Sequence, residues 1–146
     1  MISLSKGRYQ VGFAEGPAEI REAQRLRWLC FLGRCGAGAG DGEPPLDADD
    51  YDDRCSHVLI RDKAGGRLVA CFRMLTLTCG AQIGDSYSAR HYNLSRLRDF
   101  RGPMVEIGRF SSDATHLRVA VERGAGAPAA RSLYVEIALQ AAQAGL

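Results

Sequence analysis

The chain has 146 residues, 46% hydrophobic and 25% charged, so it is long enough to bury the core of one domain and too apolar to remain disordered. Its longest apolar runs, Leu68–Cys71 and Val135–Leu139, are far shorter than the ~20 residues that span a bilayer, and no signal peptide is expected. The five cysteines contain no CxxC pair and the three histidines stand far apart, so we predict reduced thiols in a cytoplasmic protein and no metal site.

The charges are unevenly distributed along the chain. Residues 41–53 hold seven of the 17 acids and no Lys or Arg, which leaves a net charge of +9 on the rest of a chain whose overall charge is +2. A surface of that kind attracts an acidic partner. Any single arginine is equally compatible with an ordinary solvated surface, and no basic motif interleaved with aromatic residues indicates nucleic acid.

The first half of the chain predicts a strand, a helix and a loop. Tyr9–Ala14 alternates apolar with polar or small residues, as a strand does. A helix is predicted over Pro17–Leu32, because Pro17 suits a first helical turn, Gly33 suits a helix end, and apolar residues recur at helical spacing. Residues 33–47 are rich in Gly, Pro and acids and predict a loop.

A β-hairpin is predicted next. Its strands, His57–Arg61 and Arg67–Leu77, flank a turn-forming Asp-Lys-Ala-Gly-Gly segment. Residues 78–102 are predicted to be a loop with a short helical piece near Leu94–Phe100, and Pro103–Phe110 is a further strand. The last thirty residues are predicted to be helical.

Several short segments, taken together in this order, resemble one family of enzymes. The segments are Leu26–Phe31, Asp49–Asp52, Cys55–Leu59, Val69–Leu75, and Tyr87–Ala89 with Tyr92–Ser95 leading into the E-x-x-R motif of Glu106–Phe110. Each segment alone is weak evidence, since such motifs occur by chance in many proteins. Their order and spacing over residues 9–110 resemble the ornithine N-acyltransferases of ornithine-lipid synthesis, in the GNAT superfamily. More distantly they resemble the acyl-homoserine-lactone synthases.

The resemblance implies a GNAT-like α/β (α+β) fold, with a mixed, mainly antiparallel sheet flanked by helices. Residues 1–146 are then a single acyltransferase domain, with 111–146 as a divergent helical tail and a sheet that is incomplete at its C-terminal end. The implied reaction moves a 3-hydroxy fatty acyl group from acyl carrier protein to the α-amino group of ornithine, giving lyso-ornithine lipid. The phosphopantetheine thioester is a co-substrate in this reaction, and no cofactor is bound. Peripheral contact with the inner face of the membrane stays open.

Amide formation from a thioester needs an unprotonated amine, a placed thioester and hydrogen-bond donors for the oxyanion. Glu106 is the candidate general base, because it lies on a strongly apolar strand, where partial desolvation favours a carboxylate that takes up a proton. It would act directly or through a water. The alternative is that Glu106 pairs with a buried arginine.

The resemblance also places three arginines and three acids in one ionic cluster. Implied catalytic residues are Glu106, Arg109 and Arg73, and implied substrate-binding residues are Arg27, Phe31, Asp49 and Asp52. The alternative is a solvated acidic loop with three unrelated surface arginines. No residue is assigned to a cofactor. An acidic carrier protein would dock on a basic surface, to which Arg96, Arg98 and Arg101 are candidate contributors.

The residues after Phe110 depart from the family pattern. Ser111–Thr115 stands where the family continues with a Cys and then a Pro. Arg123–Ala127 resembles a phosphate-binding turn before a helix, although Pro128 removes an N–H that such a turn uses. Three functions therefore stay open: the ornithine acyltransferase, a synthase of the acyl-homoserine-lactone type with S-adenosylmethionine as acceptor, and a truncated inactive domain that binds an acyl carrier.

Overall fold

A computed structural model describes residues 3–31, Gly42 and residues 45–113. Five strands form one antiparallel sheet in chain order, and one helix packs on it. The elements are β1 (Ser3–Lys6), β2 (Tyr9–Phe13), α1 (Pro17–Phe31), β3 (Ser56–Asp62), β4 (Leu68–Leu77) and β5 (Met104–Ser112). The predicted α/β class with a mainly antiparallel sheet is confirmed over these residues. The helical tail, the turn at 123–127 and most of the 33–47 loop lie outside them.

The core is built around the two central strands. Every residue of β4 is buried except Thr76, and six of the seven residues of β3 are buried or half-buried. Two groups of apolar side chains pack on the two faces of the sheet. On one face, Leu59 and Cys71 pack against Ala23 of α1. The group on the other face consists of Tyr9, Val11, Val58, Ile60, Phe72 and Met74. A strand covered on both faces reads as a nearly continuous apolar run, which is the pattern of β4. No helix of the described part of the chain has the length and apolarity needed to cross a membrane.

The first strand, β1, was not predicted. It pairs with β2 through a two-residue turn, with Lys6 opposite Tyr9. Gly7 has a φ of +56° in this turn, a conformation that tight hairpins require and that glycine adopts without strain. The Ser-Leu-Ser-Lys sequence contains one large apolar residue, so its alternation is too short to indicate a strand without the partner.

The segment between β4 and β5 folds into three short 3₁₀ turns, at Gly80–Asp85, Ser88–Arg90 and Ser95–Leu97. The sequence predicted one short helical piece here. Gly80 joins the first turn to the segment that follows the last one, because its amide donates a 2.7 Å hydrogen bond to the Phe100 carbonyl. A Cβ atom at Gly80 would lie 1.9 Å from the Leu97 carbonyl oxygen, so only glycine fits.

Gly80→Ala is therefore expected to destabilise the fold by about 2–3 kcal/mol, because backbone atoms must move to admit the methyl group. Gly84→Ala is the matched control in the same turn, since a Cβ there meets no heavy atom within 4 Å. Urea unfolding followed by circular dichroism compares the two. Equal stability of the two variants would contradict the close contact at Gly80.

Candidate active site

Arg27 and Asp52 form the buried centre of an ionic cluster. Arg27 lies on α1 with 1% of its surface exposed, and Asp52 begins a 3₁₀ turn between α1 and β3. Two parallel hydrogen bonds join them, from Nη1 to Oδ1 at 2.7 Å and from Nη2 to Oδ2 at 2.9 Å. This two-pronged geometry matches the planar guanidinium to the carboxylate and is the strongest form of such a pair.

Arg73 brings β4 into the same cluster. Its Nη1 donates to Asp52 at 2.9 Å, and its Nη2 donates to Asp49 at 2.9 Å. Only 4% of Arg73 is exposed, so its positive charge is balanced by the two aspartates away from bulk water. Asp52 therefore bridges an arginine of the helix and an arginine of the sheet.

Arg109 is the most accessible guanidinium of the cluster. Its Nη2 donates to Asp49 at 3.3 Å, and its Nε lies 3.8 Å from an Asp47 carboxylate oxygen. That Nε atom is buried without a hydrogen-bond partner, while 29% of the side chain remains exposed. The Phe31 ring lies 5.9 Å from the Arg109 guanidinium carbon, at the edge of the cluster. Arg109 thus has donor capacity that the aspartates do not saturate.

The cluster favours the charged forms of four of its members, Asp49, Asp52, Arg27 and Arg73. Burial opposes the charged form of Asp52, but hydrogen bonds from Arg27 and Gln24 and the nearby positive charges outweigh burial and hold its pKa well below the usual range. The pKa of Asp49 is lowered too, since its pairing with Arg73 outweighs burial. In return the aspartates outweigh burial at Arg27 and Arg73 and raise their pKa values.

These shifts predict a loss of stability in acid. Because the folded-state pKa values of Asp49 and Asp52 lie below the ordinary carboxyl value of about 4, their stabilising contribution is complete above that value. It is lost as the pH falls toward the folded-state pKa. We expect the melting temperature to fall between about pH 5 and pH 2, and to fall less in Asp52→Asn, so that the two curves converge.

The matched control for acid sensitivity is Asp53→Asn, at an exposed neighbouring acid. Its melting curve should fall with pH as steeply as that of the unaltered chain. Parallel curves for the unaltered chain and Asp52→Asn would show that Asp52 does not carry the pH dependence.

Glu106 lies beside the cluster and not within it, which corrects the expectation of six charges in direct contact. Among the described residues no ion pair joins Glu106 to an arginine. Its two carboxylate oxygens accept 2.8 Å hydrogen bonds from the backbone amides of Tyr87 and Ser88. The Tyr87 ring, in turn, lies 5.9 Å from the Arg73 guanidinium carbon and 5.7 Å from that of Arg109. Tyr87 therefore links Glu106 to the cluster through its own backbone and ring.

A β-bulge interrupts the pairing of β4 and β5 next to the cluster. Arg73 pairs with Gly108 and Cys71 pairs with Ser111, so Phe72 alone faces two residues of β5. One of these is Arg109, whose φ of 52° is rare for a residue with a side chain. A bulge leaves one residue outside the ladder and re-aims the neighbouring side chains, and bulges are frequent beside active sites.

Comparison with known proteins identifies the domain. A family model described as an acetyltransferase (GNAT) domain matches residues 26–123, which is more than half of the chain and contains all seven predicted site residues. The chain belongs to this GNAT acetyltransferase family. No solved structure matches it.

Two curated relatives of this GNAT domain carry the same name, L-ornithine N(alpha)-acyltransferase. The protein of Rhodobacter capsulatus is 35% identical over 109 residues, which cover 69% of this chain and 42% of that protein. The protein of Brucella abortus is 30% identical over 112 residues, which cover 70% of this chain and 40% of that protein. The matched region therefore spans about two fifths of the length of these relatives.

The GNAT domain also has an apolar cavity of about 240 Å³ beside Glu106. It lies between the 3₁₀ turns and the adjoining ends of β4 and β5. Its walls are formed by Leu77, Ile83, Ser86, Ser88, Leu94, Leu97, Met104, Val105 and Glu106. A carboxylate at the edge of an apolar cavity can accept a proton from a bound amine while the cavity excludes water from the rest of the ligand.

Sequence reasoning on this GNAT domain missed three contributors to the site. Asp47 accepts a 3.1 Å hydrogen bond from Arg27 Nε, but nothing singled it out among seven acids of the same segment. Gln24 donates to Asp52 at 2.9 Å, and its position one turn before Arg27 on the same helix face was an available signal. Tyr87 contacts Glu106 through its backbone amide and the arginines through its ring, and a contact made by the backbone cannot be predicted from residue type.

The bulge predicts an unusual response to glycine at Arg109. Arg109→Ala removes the guanidinium but keeps the left-handed backbone, whereas Arg109→Gly removes both the side chain and the strain. We therefore expect Arg109→Gly to be more stable than Arg109→Ala by about 1 kcal/mol in urea unfolding.

At Ile107, an exposed position of the same strand without a positive φ, the order should reverse and the glycine variant should be the weaker one. The same order at both positions would argue against strain at the bulge.

Proposed function

We propose that this GNAT domain transfers a fatty acyl group from an acyl carrier protein thioester to the α-amino group of ornithine, giving an N-acyl amino acid of the lyso-ornithine-lipid type. The observation that carries the proposal is the three-arginine, three-aspartate cluster at a β-bulge, in a domain whose two relatives are both named as ornithine acyltransferases. The names of the relatives support ornithine as the acceptor, and the charges of the cluster support a site for an amino acid.

The acceptor is proposed to bind by its carboxylate. Arg109 has an exposed portion and unsaturated donor capacity, so it can donate to the carboxylate of an amino acid while Asp49 holds its other nitrogen. Arg27, Asp52 and Asp49 fix the surrounding charges, and Phe31 forms an apolar wall beside the same guanidinium. Bound in this way, the α-amine is directed toward Glu106 and the strand interruption at the bulge.

The chemical step is then an aminolysis. Glu106 accepts a proton from the α-ammonium group, directly or through a water, and the free amine attacks the thioester carbonyl carbon. Backbone N–H groups near the bulge are the candidate donors to the oxyanion. The C–S bond breaks as the amide C–N bond forms. The attacking nitrogen then loses its second proton, which leaves with the pantetheine sulfur as a thiol, and Glu106 returns the first proton to solvent. A thioester and an amine are consumed, and an amide and a thiol are produced.

The direct test is turnover of the purified chain with 3-hydroxyacyl-loaded acyl carrier protein and L-ornithine. Thiol release and the mass of N-acyl ornithine should increase together, and omission of ornithine should abolish both. Release of thiol without the amide, or no turnover beside an active full-length relative, would contradict the proposal. S-adenosylmethionine in place of ornithine should give no diffusible lactone.

A further inference from the structure

Residues 90–101 form a surface of mixed apolar and basic character, which we call the 90–101 surface. Eleven of these twelve residues are exposed, and only Leu94 is partly buried. Three large apolar side chains project from it: Tyr92 is 70% exposed, Phe100 51% and Leu97 43%. Single exposed apolar residues are common on proteins, but three within nine positions indicate a contact site.

The same surface is strongly positive. It carries four exposed arginines against one acid, Asp99. Among the described residues, no ion pair neutralises Arg96, Arg98 or Arg101. This leaves three positive charges in excess, interleaved with the apolar side chains.

The backbone under the 90–101 surface is fixed. The Leu97 amide donates to the Leu94 carbonyl at 2.9 Å, the Phe100 amide donates to the Leu97 carbonyl at 3.1 Å, and the Phe100 carbonyl accepts from Gly80. The side chains are therefore displayed on a preformed scaffold, which lowers the ordering cost of binding.

We propose that the 90–101 surface docks the protein on an anionic lipid bilayer. Apolar and tyrosine side chains insert at the level of the headgroups, and arginines pair with lipid phosphates, which is the recognised pattern for binding in the membrane interface. An acidic protein would be attracted by the same arginines. The exposed Tyr92, Leu97 and Phe100 favour the bilayer, because large apolar side chains interleaved with arginines suit the boundary between headgroups and acyl chains.

The 90–101 surface lies next to the cavity beside Glu106. Leu97 belongs both to the 90–101 surface and to the wall of the cavity beside Glu106, so the cavity adjoins the surface that would face the bilayer. If the proposed acyl transfer is correct, its amphiphilic product would leave this cavity directly into lipid. This last step rests on the proposed function, whereas the docking itself rests only on the surface.

The test is co-sedimentation of the full chain with large vesicles of phosphatidylcholine alone or with about one third phosphatidylglycerol. We expect binding to the anionic vesicles only, weakened by salt. Arg96→Gln with Arg98→Gln should weaken binding at least tenfold. The matched control, Arg21→Gln with Lys63→Gln, removes the same charge from exposed positions elsewhere and should change binding less than about twofold.

An apolar variant tests the insertion separately. Tyr92→Ser should weaken binding several-fold, and Leu46→Ser, an exposed apolar residue outside the surface, should not. Absence of binding to anionic vesicles, or equal losses in the two double variants, would overturn the proposal. So would retained vesicle binding in Arg96→Gln with Arg98→Gln together with lost affinity for an acidic carrier protein. No acyl donor is present, so these results do not depend on the acyl-transfer assay.

Discussion

Asp52→Ala is expected to lower the free energy of unfolding by about 3–5 kcal/mol, the usual cost of removing one partner from a buried ion pair. The carboxylate of Asp52 accepts hydrogen bonds from Arg27, Arg73, Gln24 and the Asp49 amide. Without it, two guanidinium groups that are almost wholly buried lose their shared counter-charge. The remaining aspartates, Asp47 and Asp49, can compensate only in part.

Urea unfolding at neutral pH measures this loss, and the control lies one residue away. Asp53 follows Asp52 in the same 3₁₀ turn but is exposed, so Asp53→Ala should change stability by less than about 0.5 kcal/mol. A small effect of Asp52→Ala would mean that water reaches Arg27 and Arg73, and the buried cluster described above would have to be abandoned.

Glu106→Gln is expected to lower turnover about 100-fold or more, because an amide cannot take the proton from the acceptor amine. The substitution also disturbs structure. Each of the Tyr87 and Ser88 amides donates to a different oxygen of Glu106, so a glutamine would place its NH2 donor against one of these two donors. Kinetic measurements must therefore separate a chemical role from a structural one.

Two measurements make that separation. If Glu106 acts as a base, the deficit of Glu106→Gln should shrink as the pH rises and more of the amine is already unprotonated; a purely structural defect would be independent of pH. Ser86→Ala is the structural control, since the Ser86 hydroxyl joins Ile83 to Ala89 in the same region without touching Glu106. It should lower turnover only slightly. Unchanged turnover in Glu106→Gln would remove Glu106 from the mechanism.

The regular elements could be predicted because their signals are local. The helix and four of the strands follow from apolar periodicity, Pro17 and the Gly-rich turn before β4, and their ends differ from the prediction by at most two residues. β1 could not be predicted in this way, since a four-residue edge strand is stabilised by its neighbour and not by its own composition.

Four side chains of the site were predictable from the family resemblance, whereas the contacts in which the backbone takes part were not. Arg27, Arg73, Asp49 and Asp52 meet as the family resemblance implied. The partners of Glu106 are two amides, and the bulge at Arg109 is a matter of register, so neither depends on residue type. Local backbone preference disfavours a φ of 52° for a charged residue, so the sequence alone does not indicate this conformation at Arg109.

Two hairpins of the sheet, β1–β2 and β3–β4, have contacts between residues that are closer along the chain than those of the ionic cluster. The paired residues of these hairpins are at most 18 positions apart, whereas the contacts of the cluster join residues 25, 21 and 60 positions apart. Contacts between distant residues require closure of long loops, so hairpins can form before the cluster does. The cluster therefore assembles only when the tertiary structure is nearly complete. A partially folded chain would consequently lack the proposed amino-acid site, and inactivation on heating should coincide with global unfolding.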